Sequence, residues 1–294
     1  MSRSATTSRE ELLARLREIL ACPQCRIPLP QSGGRALACP QCAATCDVRD
    51  GRYVFSEIPT DTVAEDWLNR AKESAKRRLK RFYPLAIDVI SPVHGVNLVR
   101  PFLQSFDVES QVVADLGSGT TEYGDRVVCV DGVGYANVHV VADLERLPFQ
   151  DGSLSGIVSV AVLEHVRDPS AHVSEFQRVL QPGGRVLCFV PFIQGFHASP
   201  QDFQRYTPAG LRELFRDFDI LDVRVGAGPT SGLIWIAQEW LAMALSFGSL
   251  RLYRLLVPCM WLLSPLKYLD VLLARHPAAS TIASGHYIEA RKRG

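Results

Sequence analysis

A chain of 294 residues, 47% of them hydrophobic and with a formal net charge of +1, has enough apolar material for one large domain plus a small one. The near-neutral balance lacks the basic signature of a dedicated nucleic-acid binder. The N-terminus has no apolar core of a secretory signal. Four of the eight cysteines fall in two Cys-x-x-Cys units, a pattern that favours metal over disulfides, so a cytoplasmic location is the expectation.

Residues 1–8 are polar and are expected to be disordered. Leu12, Leu13, Leu16, Ile19 and Leu20 then recur at helical spacing over Arg9–Leu20. Cys22-Pro23-Gln24-Cys25 and Cys39-Pro40-Gln41-Cys42 follow. Paired thiolates on two tight knuckles can meet as a tetrahedral zinc site, which makes Cys22, Cys25, Cys39 and Cys42 the candidate ligands; a redox pair is the rival reading. Four cysteines leave zinc no open position, so the metal would be structural or would shape a partner-binding surface. The stretch from Leu20 to Pro59 resembles the zinc ribbon of Trm112-like methyltransferase activators. Cys46 stands where that family usually has an aromatic residue, and it reads as a spare thiol beside the metal site.

Asp61–Arg81 reads as a helix. Trp67, Ala71, Ala75 and Leu79 make a narrow apolar stripe, surrounded by Arg70, Lys72, Lys76, Arg77, Arg78, Lys80 and Arg81. It is either a solvated linker or a surface for an anionic partner, membrane or nucleic acid. Ser91-Pro92-Val93-His94-Gly95 breaks the next segment, with His94 a loop histidine, and Asn97–Phe106 reads as a short helix.

The rest of the chain is organised by apolar runs that end in acids. Val112–Leu116 carries Asp115 and leads into Gly117-Ser118-Gly119, a turn whose glycines let the backbone approach a ligand closely. Val127–Asp131 is the second run. Val138–Val141 is the third and leads to Asp143 and Leu144. Ile157–Val162 precedes Leu163-Glu164-His165-Val166. An amphipathic segment, Pro182-Gly183-Gly184 and Arg185–Val190 follow. From Gln111 to Leu221 this series resembles the class I S-adenosylmethionine (SAM)-dependent methyltransferases, in the type 11 branch with D-L-G-x-G, L-E-H-V and R-V-L-x-P-G-G motifs. The resemblance implies a Rossmann-like α/β fold with a seven-stranded sheet and SAM as cofactor. It assigns Asp115, Gly117, Ser118 and Gly119 to the methionine part, Asp131 to the ribose hydroxyls, and Asp143 with the Leu144 backbone to the adenine. Val162 is placed in the same site.

One departure stands out. Asp115 and Asp131 lie so close that Thr121–Arg126 must be a loop or a single turn, where the family has a helix. Part of the usual wall around SAM is missing unless another segment fills it. His165, in the motif after the fourth strand, and His197, after the fifth, are the candidate general bases; for His165, orienting or capping the next helix is the competing role. Thr207-Pro208 reads as a helix N-cap.

Ile220–Val225 and Ser284–Ala290 read as the last two strands, which this fold joins as a hairpin. Here an apolar helical insertion spans residues 230–275: Leu233–Phe247, Leu252–Leu263 and Leu266–Leu273. No piece is a clean transmembrane span, so the insertion is expected to form a lid or side wall of the acceptor site, or else a homodimer face. The predicted domains are residues 1–60 (helix and zinc ribbon), 61–107 (basic helical linker) and 108–294 (methyltransferase domain with the insertion). The predicted reaction is methylation of an oxygen on a lipid-linked, glycan-type or other amphipathic acceptor, with peripheral contact to the inner face of a membrane through residues 70–81 and 233–273. An RNA base methyltransferase that recognises RNA through the ribbon, and an inactive methyltransferase-like scaffold, are the alternatives.

Overall fold

The computed structural model describes residues 3–30, 36–56, 88–107, 109–198 and 201–294; the predicted basic helix Asp61–Arg81 lies outside them. Ten strands are described: β1 (Ala36–Ala38), β2 (Thr45–Arg49), β3 (Arg52–Val54), β4 (Val113–Leu116), β5 (Val127–Asp131), β6 (Val140–Val141), β7 (Leu154–Val160), β8 (Leu180–Pro191), β9 (Phe218–Ala227) and β10 (Gly285–Lys292). They form one sheet in the order β1-β2-β3-β6-β5-β4-β7-β8-β10-β9. The run from β6 to β9 is the expected seven-stranded unit. β6, β5, β4, β7 and β8 pair in parallel, and β10 lies antiparallel between β8 and β9. β4 is buried at every position, as a central parallel strand covered on both faces must be.

Several strand boundaries differ from the sequence reading: β7 ends at Val160 rather than Val162 and starts earlier, at Leu154, and β9 and β10 run two residues further at their carboxyl ends. β6 keeps only Val140–Val141 of the expected Val138–Val141. β8 begins at Leu180, and its register against β7 shifts between the Leu154↔Leu180 and Gly156↔Arg185 pairs. Pro182-Gly183-Gly184 is therefore a bulge inside the strand rather than a turn before it, with Gly183 at φ +76° taking the left-handed position.

The helices are α1 (Arg3–Ile19), α2 (Val99–Gln104), α3 (Pro169–Val179), α4 (Pro208–Leu214), α5 (Pro229–Leu245), α6 (Leu250–Met260) and α7 (Asp270–Leu273). α1 starts at Arg3, so the polar opening expected to be disordered is helical from there. Asp168 caps α3 by accepting from the Ala171 amide at 3.0 Å, and Thr207 caps α4 by accepting from the Gly210 amide at 3.1 Å.

The ribbon extends the main sheet. β3 pairs in parallel with β6 through Tyr53↔Val140 and Val54↔Val141. Leu12, Leu16 and Leu20 on the α1 side share one buried cluster with Leu147, Phe149 and Phe176. Arg26 on the first knuckle reaches Glu175 at 3.3 Å. Glu175 is itself clamped by Arg178, which also donates to the Leu147 and Phe149 carbonyls at 2.8 and 2.6 Å.

Between β9 and β10 the insertion folds back on the carboxyl ends of the strands. α5 starts without a side-chain cap of its own; Asp270 supplies one from the start of α7, accepting from the Thr230 and Ser231 amides at 2.8 Å each. Gly228 is required there, since a Cβ would lie 2.3 Å from the Asp270 carboxyl carbon. Lys267 is fully buried and donates to the Asp88 and Ser91 carbonyls, while Gln238 donates to Ser264 at 2.8 Å. α6, a 3-10 stretch (Trp261–Leu269) and α7 follow without a break over Leu250–Leu273. The pieces seen separately in the sequence thus join into 24 residues, long and apolar enough to cross a membrane by length and composition. Polar anchors tie one face of them to the protein. The other face is bare: Leu262 is 84% exposed, Leu272 72% and Leu250 70%, and Phe247, in the turn before the run, is 89% exposed.

Candidate active site

The acids read from the sequence fall at the carboxyl ends of β4, β5 and β6, where an open α/β sheet places its ligand. Asp115 is 2% exposed, and its Oδ2 has no hydrogen-bond partner. Burial, with Asp131 nearby, pushes its carboxyl up to about 7. Asp131 accepts from the Gly119 amide through Oδ2 and from the Val133 amide through Oδ1, both at 2.8 Å. Burial raises its pKa, partly offset by those amides. Each oxygen keeps a further lone pair, so the carboxylate that shapes the glycine turn is still able to accept from a ligand's hydroxyls. Asp143 is exposed, and its Oδ1 holds the Glu145 amide at 2.9 Å. The Leu144 carbonyl is paired with Nδ1 of His172 at 2.6 Å. Burial drives that fully enclosed imidazole down to about 4, so it is a neutral strut from α3 to the Leu144 loop.

The turn itself is shaped by a close approach. Gly117 sits at φ +76°, and a Cβ there would lie 2.3 Å from Cγ2 of Val162. Val162 is delivered by Ala161, a non-glycine residue at φ +56°; such strain gathers at ligand sites. Gly117→Ala is expected to destabilise the fold by roughly 1–3 kcal/mol, the usual cost of overpacking, read as a lowered chemical-denaturation midpoint. Ser118 is buried beside it. As the spacing requires, 121–126 contains no helix. Tyr123 stands in that short crossover, and burial together with Asp115 pushes its phenol up to about 12.

Beyond β7 and β8 lies a second cluster. Leu163–His165 is a 3-10 turn ahead of α3, so neither Glu164 nor His165 caps that helix. Nε2 of His165 lies 3.8 Å, and Nε2 of His197 3.7 Å, from Oε1 of Glu164. The two rings meet edge to face at 5.3 Å. Each ring's other nitrogen is held by backbone: Nδ1 of His165 at the Gln201 carbonyl and Nδ1 of His197 at the Gly195 carbonyl, 3.1 Å away. Burial works against protonation of His197, but Glu164, the Gly195 carbonyl and Asp202 outweigh it and raise its pKa. Asp202 is held down to about 2, its burial overcome by the Arg205 guanidinium. Trp235 of α5 closes over this cluster, 5.4 Å from the His197 ring. The two histidines singled out from the sequence are thus brought together. Glu164 was visible only as a letter of the L-E-H-V motif; its complete burial with neither oxygen hydrogen-bonded is a tertiary property. His94 stays in a loop, its amide donating to Ser231 at 2.9 Å.

At the far end of the sheet, Cys22, Cys25, Cys39 and Cys42 bring their sulfurs within 4.8 Å of one another, with Cys22 and Cys42 at 3.6 Å. All four are free thiols. The Cys42 thiol, with burial, pushes Cys25 up to about 12, while the Cys42 and Gln41 amides pull Cys39 down to about 7. Four sulfurs crowded in this way fit a tetrahedral thiolate metal. Cys46 is buried in β2, outside the four, and burial pushes it up to about 12.

A family profile described as a methyltransferase domain matches residues 120–188. The malonyl-[acyl-carrier protein] O-methyltransferase of Hahella chejuensis is 33% identical over 102 residues, 34% of this chain and 35% of the relative. A ubiquinone/menaquinone biosynthesis C-methyltransferase of the same organism is 36% identical over 76 residues, 26% of this chain and 30% of the relative. The chain thus spans about a third of the length of these curated relatives. Among solved structures, the Burkholderia thailandensis 1,6-didemethyltoxoflavin-N1-methyltransferase, with S-adenosylhomocysteine bound, is 14% identical with a TM-score of 0.42, over 89% of this chain and 100% of that one. With its motifs in order on a seven-stranded sheet of this topology, the chain carries a methyltransferase domain of the class I S-adenosylmethionine-dependent kind.

Proposed function

We propose that the protein transfers the methyl group of SAM to an oxygen of an amphipathic, lipid-linked acceptor. The observation that carries the SAM half is the orphaned, buried Oδ2 of Asp115 beside a glycine turn held by Asp131. SAM supplies an electrophilic methyl on a sulfonium; the S–C bond breaks as the O–C bond forms, with the electron pair left on sulfur. The residues of this chain position the two partners in line. Asp115 accepts from the methionine ammonium, Asp131 from the ribose hydroxyls, and Asp143 with the Leu144 backbone faces the adenine. The Glu164–His165–His197 cluster, under Trp235, forms the acceptor side, where the hydroxyl proton leaves. The four-cysteine ribbon holds a structural zinc.

The test is calorimetry with SAM and S-adenosylhomocysteine, followed by labelled methyl transfer into lipid, glycan and RNA fractions. Incorporation into RNA alone would replace this acceptor class, and no cofactor binding would leave a scaffold. The raised Asp115 pKa sets a pH dependence. A cationic ammonium needs the ionised carboxylate, and the free protein ionises it only near pH 7. SAM affinity is therefore expected to fall as pH drops through that value, by at most roughly tenfold per unit, and to level off above it. Asp115→Asn removes the dependence.

The lipid half rests on the bare apolar face of α6 and its neighbours. Burying each large side chain there would contribute roughly 1.5–3 kcal/mol. The seven Lys and Arg of residues 70–81 would add about 1 kcal/mol each at an anionic surface. Lys267 and Asp270, committed to the protein on the other face, favour lying in one leaflet of the inner face over spanning it. Flotation with anionic liposomes is expected to weaken, without vanishing, at high salt, and Phe247→Glu with Leu262→Glu is expected to abolish it. Wild-type protein that does not float but elutes as a dimer would assign the face to a second copy.

A further inference from the structure

Glu164 poses a problem that methyl transfer by positioning does not solve. It is completely buried, and neither carboxylate oxygen has a hydrogen-bond partner. A carboxylate taken out of water without partners is costly and ordinarily finds a counter-charge or a metal. Among the described residues, the potentially cationic groups that come within 4 Å of it are two imidazole nitrogens, 3.7 and 3.8 Å from the same oxygen, with the Arg205 guanidinium acting on it from farther off. Those nitrogens and the carboxylate oxygen lie within 4.8 Å of one another.

The two histidines are presented as ligands rather than as members of a hydrogen-bond chain. In each ring Nδ1 is engaged by a backbone carbonyl, Gln201 for His165 and Gly195 for His197. A carbonyl only accepts, so these contacts place the N–H on Nδ1 and the Nε2 lone pair toward Glu164; at His197 the Arg205 guanidinium also lies 3.4 Å from Nδ1. A histidine whose far nitrogen is tied to a carbonyl is the usual arrangement around a bound metal. The support continues outward. Arg205 donates to the Gly195 carbonyl at 3.0 Å and pairs with Asp202, and Asp202 accepts from the His197 amide at 2.8 Å. The loop carrying His197 is therefore braced independently of the histidine ring. His165 and His197 remain partly exposed while Glu164 is enclosed, so free coordination positions would open outward.

We infer that Glu164, His165 and His197 bind a divalent first-row transition-metal ion as a two-histidine, one-carboxylate site with open positions. Ligands bonded at about 2.1 Å around one ion sit about 3.0–3.4 Å apart, so the two carboxylate–imidazole spacings need to close by about 0.3–0.8 Å, while the two imidazole nitrogens lie within 4.8 Å of each other. Harder ions that prefer all-oxygen shells are disfavoured by two imidazoles. That the ion then receives the acceptor oxygen and makes its proton easier to lose rests on the methyltransferase reading; that it binds does not.

The test uses the full chain with its ribbon loaded with zinc, titrated with Co2+ and followed by visible absorption. One further equivalent should bind with the weak bands of a nitrogen and oxygen site, without the intense sulfur charge-transfer bands of a thiolate site. His197→Gln and Glu164→Gln should each weaken this binding more than tenfold. Thermal melts of the same variants show that the fold is kept, and Arg167→Ala, a neighbour outside the triad, serves as a control that should bind normally. Wild-type protein that takes up no second equivalent, or a folded His197→Gln that takes it up with wild-type affinity, overturns the inference. SAM calorimetry on the same samples separates the two conclusions. Cobalt binding without SAM binding sinks the methyltransferase reading alone, and SAM binding without cobalt binding sinks only the metal site.

Discussion

Replacing Cys39 with serine is expected to strip the zinc proposed for the four thiolates and to loosen the protein well beyond the ribbon. Structural zinc in thiolate sites is worth about 10–16 kcal/mol in isolated peptides, and here the segment it organises is part of the main sheet. The Tyr53 and Phe55 amides donate to the His139 and Val141 carbonyls at 2.9 and 2.8 Å, so loss of the metal frees the edge of β6. Hydrogen exchange should show lost protection at Tyr53, Phe55 and Ala21, whose amide donates to the Pro148 carbonyl. Protection of β4 and β7 should remain. Metal analysis after dialysis against a weak chelator, which spares thiolate sites, should give one zinc per wild-type chain and none for the variant. A zinc-free wild-type protein with a Cys22–Cys25 disulfide would refute the ribbon metal.

Asp131→Ala carries the second large effect. The carboxylate closes the glycine turn through the Gly119 and Val133 amides and, in the proposed complex, accepts from the ribose. Its removal should weaken SAM by roughly 1.5–3 kcal/mol, as for hydrogen bonds to a charged group, or about ten- to a hundredfold. Part of that loss belongs to the turn, and Asp131→Asn separates the two contributions. An amide oxygen can still accept from one backbone N–H or one hydroxyl, so the asparagine variant should bind between wild type and alanine. Unchanged affinity in the alanine variant would remove Asp131 from the ribose role and leave it only the turn.

The parts of this protein legible in its sequence are those whose physics is local. A central parallel strand is buried on both faces, so Val112–Leu116 and Val127–Asp131 are apolar runs, and the acids that end them mark the ligand edge. Two Cys-x-x-Cys knuckles set their own sulfur spacing, and the sixteen positions from Asp115 to Asp131 leave no room for a crossover helix. The insertion, too, was visible as apolar sequence where two strands should have met in a hairpin. Other features depend on contacts between segments far apart in the chain. Nothing in Arg52–Val54 states that it will pair with Val140–Val141, because an edge strand takes whichever partner the core brings near. The joining of α6, the 3-10 stretch and α7 into one continuous run depends on Lys267 and Asp270 finding partners at Asp88, Ser91, Thr230 and Ser231. Glu164 is the sharpest case. Its letter sits in a motif, but its meaning lies in being buried without a hydrogen bond opposite His165 and His197, a state created only when the loop after β8 folds back over the end of β7.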